Sequence, residues 1–174
     1  MERVSVPSAE IPDMSREHKA RFAWVPSRAL LASIRAYQRH CASRNPLAPL
    51  LKKWAVLRHG FWSVMTGADI PLNTKIAGGL LLPHASGVVI HPDASIGPNC
   101  LIFQQVTIGT RGPGGAPQIS GHVDIGAGAK ILGPVKIGKH AVIGANAVVL
   151  SDVPEHCMAV GIPAVVKPRK YSEE

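Results

Sequence analysis

Aliphatic residues recur at every sixth position across residues 119–149, at Ile119, Ile125, Ile131, Ile137, Ile143 and Val149. A small or β-branched residue follows four places after each of the first five, at Val123, Ala129, Val135, Ala141 and Ala147. A helix would repeat every 3.6 residues and a half-buried strand every second one, so neither accounts for this pattern. A fixed six-residue step with glycines at its corners predicts a mainly β architecture. Short parallel strands wind into coils, and the coils bury a common core only by stacking, as a parallel β-helix. The step continues upstream through Ile70, Ile76, Leu82 and Val88, and then through Ile90, Ile96, Ile102 and Ile108. It breaks twice. Between Val88 and Ile90 it is two residues, which predicts a bend. Between Ile108 and Ile119 it is eleven, which expels residues 109–118 as a loop. Insertions in repeat arrays collect on a binding face, so functional residues are expected near these breaks.

Ahead of the coils the periodicity is helical. Residues 1–26 mix prolines, charges and isolated apolar residues and read as a mobile arm. Residues 27–66 read as a short helical segment. One helix starts at Ser27, an N-cap after Pro26, and places Leu30, Leu31, Ile34, Tyr37 and Cys41 on one side until Asn45-Pro46 ends it. A second starts near Pro49 with a stripe of Leu50, Leu51, Trp54, Leu57, Phe61 and Trp62, and Gly60 or Gly67 terminates it. Large aromatics need a partner surface, and the first coil is the expected one. Residues 67–164 form the coil domain with its loop at 109–118, and 165–174 read as a short polar tail.

Charge separates the two parts. Residues 1–66 hold eleven Lys/Arg against four Asp/Glu, whereas 67–174 hold eight against seven. The excess reads as a solvated helical face, with an acidic partner or membrane surface as the sharper reading. No nucleic-acid-binding motif accompanies it. Cys41, Cys100 and Cys157 form neither a disulfide framework nor a paired motif, and Cys100 falls on the small interior position of the repeat. With no signal-peptide pattern at residues 1–13 and no apolar run long enough to span a bilayer, a reducing cytoplasm is the expected location.

Candidate chemistry centres on Asp69 and His84, fifteen residues apart and so just short of an eighteen-residue coil of three repeats. A neutral imidazole can take a proton near pH 7, and a carboxylate on its other nitrogen would fix the tautomer. Taken alone, these residues equally allow His84 to be a turn residue beside Pro83. The surrounding motifs decide the reading. Asp69-Ile-Pro, Leu82-Pro-His84-Ala-Ser-Gly-Val-Val, Gln104-Gln-Val-Thr-Ile-Gly109, Ile125-Gly-Ala-Gly-Ala-Lys-Ile-Leu-Gly133 and Val160-Gly-Ile-Pro-Ala164 together resemble the serine O-acetyltransferases in their short form. These are hexapeptide-repeat acyltransferases with left-handed β-helices, preceded by helices and assembled as trimers.

The resemblance covers roughly residues 66–168 and implies an acetyl-CoA-dependent O-acetyltransferase without a metal. His84 and Asp69 would be the catalytic pair and L-serine the first candidate acceptor, as in cysteine biosynthesis. Acetyl-CoA would lie between neighbouring subunits of a homotrimer against Gly109, Ala127 and Ala145, with Lys167 and Arg169 toward its phosphates. The chain also departs from the family. Its loop is shorter, Ala116 stands where the family's loop histidine would be, and Arg111 is the loop's only charge and the candidate for the acceptor's carboxylate. The family's terminal isoleucine, which docks on cysteine synthase, is absent from the Ser-Glu-Glu end, so that docking is not expected. The rival readings are a sugar hydroxyl as acceptor, a carbonic-anhydrase-like metalloenzyme and a purely structural array. His122 and His140, eighteen residues apart, should stack one coil apart, facing solvent; zinc needs at least three protein ligands.

Overall fold

A computed structural model describes residues 7–20 and 23–169. Two helices, α1 (Pro26–Cys41) and α2 (Ala48–Thr66), cap a stack of coils with three flat walls. The first wall contains Lys75–Ile76, Ser95–Ile96, Gln118–Ile119 and Lys136–Ile137, and the third contains Val89–Ile90, Thr107–Gly109, Lys130–Leu132 and Val148–Val149. The second contains Leu101–Ile102, Asp124–Ile125, Val142–Ile143 and Cys157–Val160, all parallel, and ends on an antiparallel strand, Val165–Pro168. The register follows the six-residue phase. Ile76, Ile96, Ile119 and Ile137 are neighbours down the first wall, and Ile90, Ile108, Ile131 and Val149 down the third. The stacked aliphatics form one buried core, and each such side chain contributes about 1.5–3 kcal/mol when fully buried.

The first break lies a few residues earlier than the apolar spacing suggests, and that shift matters. Leu81 bridges Leu101, and Val89 pairs with Thr107. From Leu81 to Val89 is eight residues, whereas from Leu101 to Thr107 is six, so the corner after the second wall has two extra residues in this coil. Leu82, Ala85, Val88 and Ile90 all stay buried, and the surplus lies in the turn at 83–87, where Pro83, His84 and Ser86 are exposed.

Proline takes the N1 position of α1, where its missing N–H costs nothing, so the helix starts one residue before Ser27. Leu30, Leu31 and Ile34 close the top of the coil core. Helix α2 runs through Gly60 and ends at Gly67, whose φ of 64° is the left-handed cap conformation. The expected seat of its apolar stripe on the first coil is not observed. Helix α1 occupies that position, α2 packs on α1 as an outer layer, and Leu50, Trp54, Leu57 and Phe61 stay more than half exposed. Only Trp62 of the stripe reaches the core.

The arm, expected to be mobile, is held over residues 7–20, and the tail begins as a strand. In the arm, residues 7–20 lie along the corner between the first and second walls. Asn99 Nδ2 donates to the carbonyls of Ser8 and Ile11, and Asn99 Oδ1 accepts from the Asp13 N–H. Glu17 pairs with Arg35 at 2.8 Å, and Lys139 with Glu10 at 2.7 Å. Gly121 permits the close approach, since a Cβ there would sit 1.8 Å from the Ala9 carbonyl oxygen. In the tail, residues 165–168 form the antiparallel strand because the hairpin satisfies their backbone against residues 157–160. Residues 170–174 lie outside the described residues. Among the described residues no helix is long and apolar enough to cross a membrane.

Candidate functional site

The two-residue surplus places His84 on an exposed turn at the corner between the second and third walls. Gly87 N–H donates to Gly67 O, and Gln105 N–H to Ser86 O, so the turn is tied to the residues above and below it. Asp69 bridges Val89 at the top of the third wall, with its N–H on Val88 O and its carbonyl accepting from Ile90. Its outward position continues downward as Val89, Thr107, Lys130 and Val148. His84 and Asp69 therefore stand at the same edge of the first coils. Both side chains are exposed, and no hydrogen bond joins them. One coil below, Gln104 has a buried Oε1 with no hydrogen-bond partner.

The other candidate residues are spread over all three corners. Ala127 and Ala145 stack on the corner of His84, where Asn146 N–H donates to Ala127 O at 2.8 Å. Gly109 ends a strand at the opposite edge of the third wall, and a Cβ there would make only ordinary contacts, at 3.7 Å or more. Arg111 follows it in the exposed loop, which holds a short helical turn at Gly112–Gly114 and lies against Pro134. Lys167 is exposed beside Met158. The returning strand carries Arg169 to the other end of the second wall, where its N–H donates to His156 O, away from Ala127 and Ala145.

The histidines of that far corner form a ladder longer than the spacing of His122 and His140 predicts. His122, His140 and His156 all have φ between 53° and 57°. The first two rings meet Nδ1 to Nδ1 at 2.8 Å, and the rings of His140 and His156 stack at 4.9 Å. The short contact needs one ring to donate and the other to accept, so protonating the acceptor sets two N–H groups face to face. Burial, and then neighbouring positive charge, hold both His122 and His140 below the usual histidine pKa. A histidine with a depressed folded pKa contributes stability at high pH that is lost as pH falls through the unfolded value, about 6.5. The melting temperature should thus fall between pH 7.5 and pH 5, and His122→Asn should flatten that fall, because asparagine tolerates this backbone conformation. An unchanged pH profile in the variant would show that the ladder does not titrate with folding. Among the described residues no group of three or more His, Cys, Asp or Glu is arranged to hold a metal ion. Burial pushes the Cys100 thiol up to about 11, and it donates to Ser120 O at 3.2 Å, as befits an interior spacer.

Sequence reasoning missed Arg16, Ser27 and Arg28. They line a cavity of about 390 Å³ between the start of α1 and residues 80–83. A smaller cavity of about 220 Å³ is lined by His84, Ala85 and Thr66, and the two share Ser27 and Pro83. No sequence signal pairs the arm with this corner, because the juxtaposition depends on how the arm lies over Asn99.

Comparison with known proteins is consistent with this geometry. The family model for bacterial transferase hexapeptide (six repeats) matches residues 117–151. A serine acetyltransferase of Synechococcus elongatus is 42% identical over 106 residues, which cover 59% of this chain and 43% of that protein. A serine acetyltransferase solved in complex with CoA superposes with a TM-score of 0.69 at 35% identity, covering 83% of this chain and 58% of that one. The soybean serine acetyltransferase complexed with serine gives 0.61 at 33%, covering 80% and 70%. The chain thus spans less than half the length of the Synechococcus relative.

Proposed function

The chain belongs to the serine acetyltransferase family of hexapeptide-repeat proteins with a left-handed parallel β-helix, and from that premise we propose that it transfers the acetyl group of acetyl-CoA to the hydroxyl of L-serine. The observation that carries the reading is the corner insertion that holds His84 clear of the coil beside Asp69. Neutral His84 takes the hydroxyl proton as the oxygen attacks the thioester carbonyl, and returns it to the departing CoA thiolate. Asp69 fixes the imidazole tautomer. Its hydrogen bond forms when substrate orders the two exposed side chains, since catalytic hydrogen bonds often tighten only in the complex. Backbone N–H groups of the turn are the candidate donors to the tetrahedral oxyanion.

Relatives solved with CoA and with serine support both substrates. In this chain Gly109 at one edge of the third wall and Ala127 with Ala145 at the other leave the main chain open to a pantetheine arm, with Lys167 near its phosphates. A groove open along one edge is completed by a neighbour, so the working unit is a homotrimer. Arg111 reaches the acceptor's carboxylate from the loop. Three free cysteines suit a reducing cytoplasm, where acetyl-CoA is made.

The test is release of free CoA thiol across a panel of alcohols, with light scattering on the same sample. Serine should be the preferred acceptor and the active species a trimer. Turnover on a sugar hydroxyl with serine inert would replace the acceptor, and a stable active monomer would remove the shared groove.

A further inference from the structure

The larger cavity, which shares Ser27 and Pro83 with the one lined by His84, is cationic. Arg16 spends one N–H on Asn99 O at 2.6 Å, and Arg28 spends one on His18 O. A guanidinium carries five N–H donors, so each has capacity left. Neither arginine has a carboxylate within ion-pair distance among the described residues. Among the described residues no Asp or Glu lines either cavity. Ser27, only 7% exposed, lines both cavities, and its hydroxyl makes no hydrogen bond among the described residues. The first turn of α1 adds backbone N–H groups that have no acceptor within the helix. Leu80, Leu81, Leu82 and Pro83 form the apolar side. Two guanidiniums with spare donors, a serine hydroxyl with no partner and, among the described residues, no lining acid make a seat for an anion and a poor one for an ammonium.

We infer that Arg16, Ser27 and Arg28 form an anion-binding site for a carboxylate or phosphate carried by one of the two substrates, beside the base His84. The inference rests on the reading above for the role of His84, whereas the charge of the cavity is independent of it. The anion has two possible sources, the acceptor's carboxylate and a phosphate of CoA. In the first case Arg28 and Ser27, rather than Arg111, hold serine by its carboxylate; in the second they, rather than Lys167, hold the phosphate.

The experiment uses the full chain with Arg28→Gln, Ser27→Ala and Arg111→Ala. Inorganic phosphate should raise the melting temperature of the native protein and do so much less in Arg28→Gln and Ser27→Ala. That readout works even if no acetyl transfer is found, so it separates failure of the site from failure of the enzymatic reading. Ser27→Ala removes no internal hydrogen bond, so it remains a fair test if Arg28→Gln folds poorly. In steady-state assays Arg28→Gln should raise one substrate's KM by roughly ten- to a hundredfold, the scale of a charge-assisted bond, with kcat changed little. A rise for serine assigns the site to the acceptor. A rise for acetyl-CoA, with Arg111→Ala raising the serine KM, assigns it to a CoA phosphate. Equal phosphate stabilisation in all variants, with both KM values unmoved by Arg28→Gln, overturns the site.

Discussion

His84→Ala is expected to lower kcat by about 10²- to 10⁴-fold, the usual contribution of a positioned general base, while the melting temperature stays within a degree or two of the native value. The asymmetry follows from the turn. Its side chain is exposed, and the corner is fastened through the backbones of Gly87, Ser86 and Gly67, not through the imidazole. Removing the ring therefore leaves the stack intact and takes away only the proton acceptor. The split between kcat and KM separates this role from a binding role: kcat should fall while both KM values stay close to native. Asp69→Asn should lower kcat less, because an amide can still orient a ring but cannot stabilise the imidazolium. Near-native turnover by His84→Ala would place the base elsewhere, and Gln104, with its unpartnered oxygen one coil below, would then be the next residue to replace.

Sequence pattern exposed the walls far better than it exposed what lies across them. The six-residue phase maps residue for residue onto the register, because each interior position packs on the same position one coil away and little else competes. The loop at 109–118 was legible for the same reason, as a gap in that phase. The corner surplus was legible only approximately. Counting apolar residues puts the break at Val88 and Ile90, yet Leu82, Val88 and Ile90 keep their buried positions, and the extra length is absorbed in the turn around the exposed His84. Helix α2 shows the opposite failure. Its stripe is real, but periodicity reports that a face is apolar without saying which element covers it, and α1 reaches the coil first. Arg16 and Arg28 were illegible altogether. Arg16 is placed by hydrogen bonds at Asn99 and by Gly121's lack of a Cβ, residues that look like ordinary turn formers in the repeat, and Arg28 on α1 meets it only because the arm folds back to His18.

That dependence gives Asn99→Ala a large effect for a corner residue. Asn99 is completely buried, and its φ of 59° is a conformation that asparagine tolerates far better than alanine. Its amide makes three hydrogen bonds to the arm, to Ser8 O, to Ile11 O and from Asp13 N–H, the last at 2.8 Å. At about 0.5–1.5 kcal/mol for each, truncation should cost roughly 2–4 kcal/mol. Because the lost bonds all bind the arm, the cost should appear first as local release and only then as a lower melting temperature. Limited proteolysis should cut the variant ahead of α1 at protease concentrations that leave the native chain whole. The functional consequence runs through Arg16, whose guanidinium is fixed by the Asn99 carbonyl and lies three residues beyond Asp13. With the arm loose, Arg16 leaves the cavity beside His84, so the KM of the substrate whose anion sits there should rise several-fold, while kcat, which depends on His84, changes little. Proteolytic release with both KM values unmoved would show that the arm stabilises the corner without shaping the site, and Arg28 with Ser27 would then hold the anion alone.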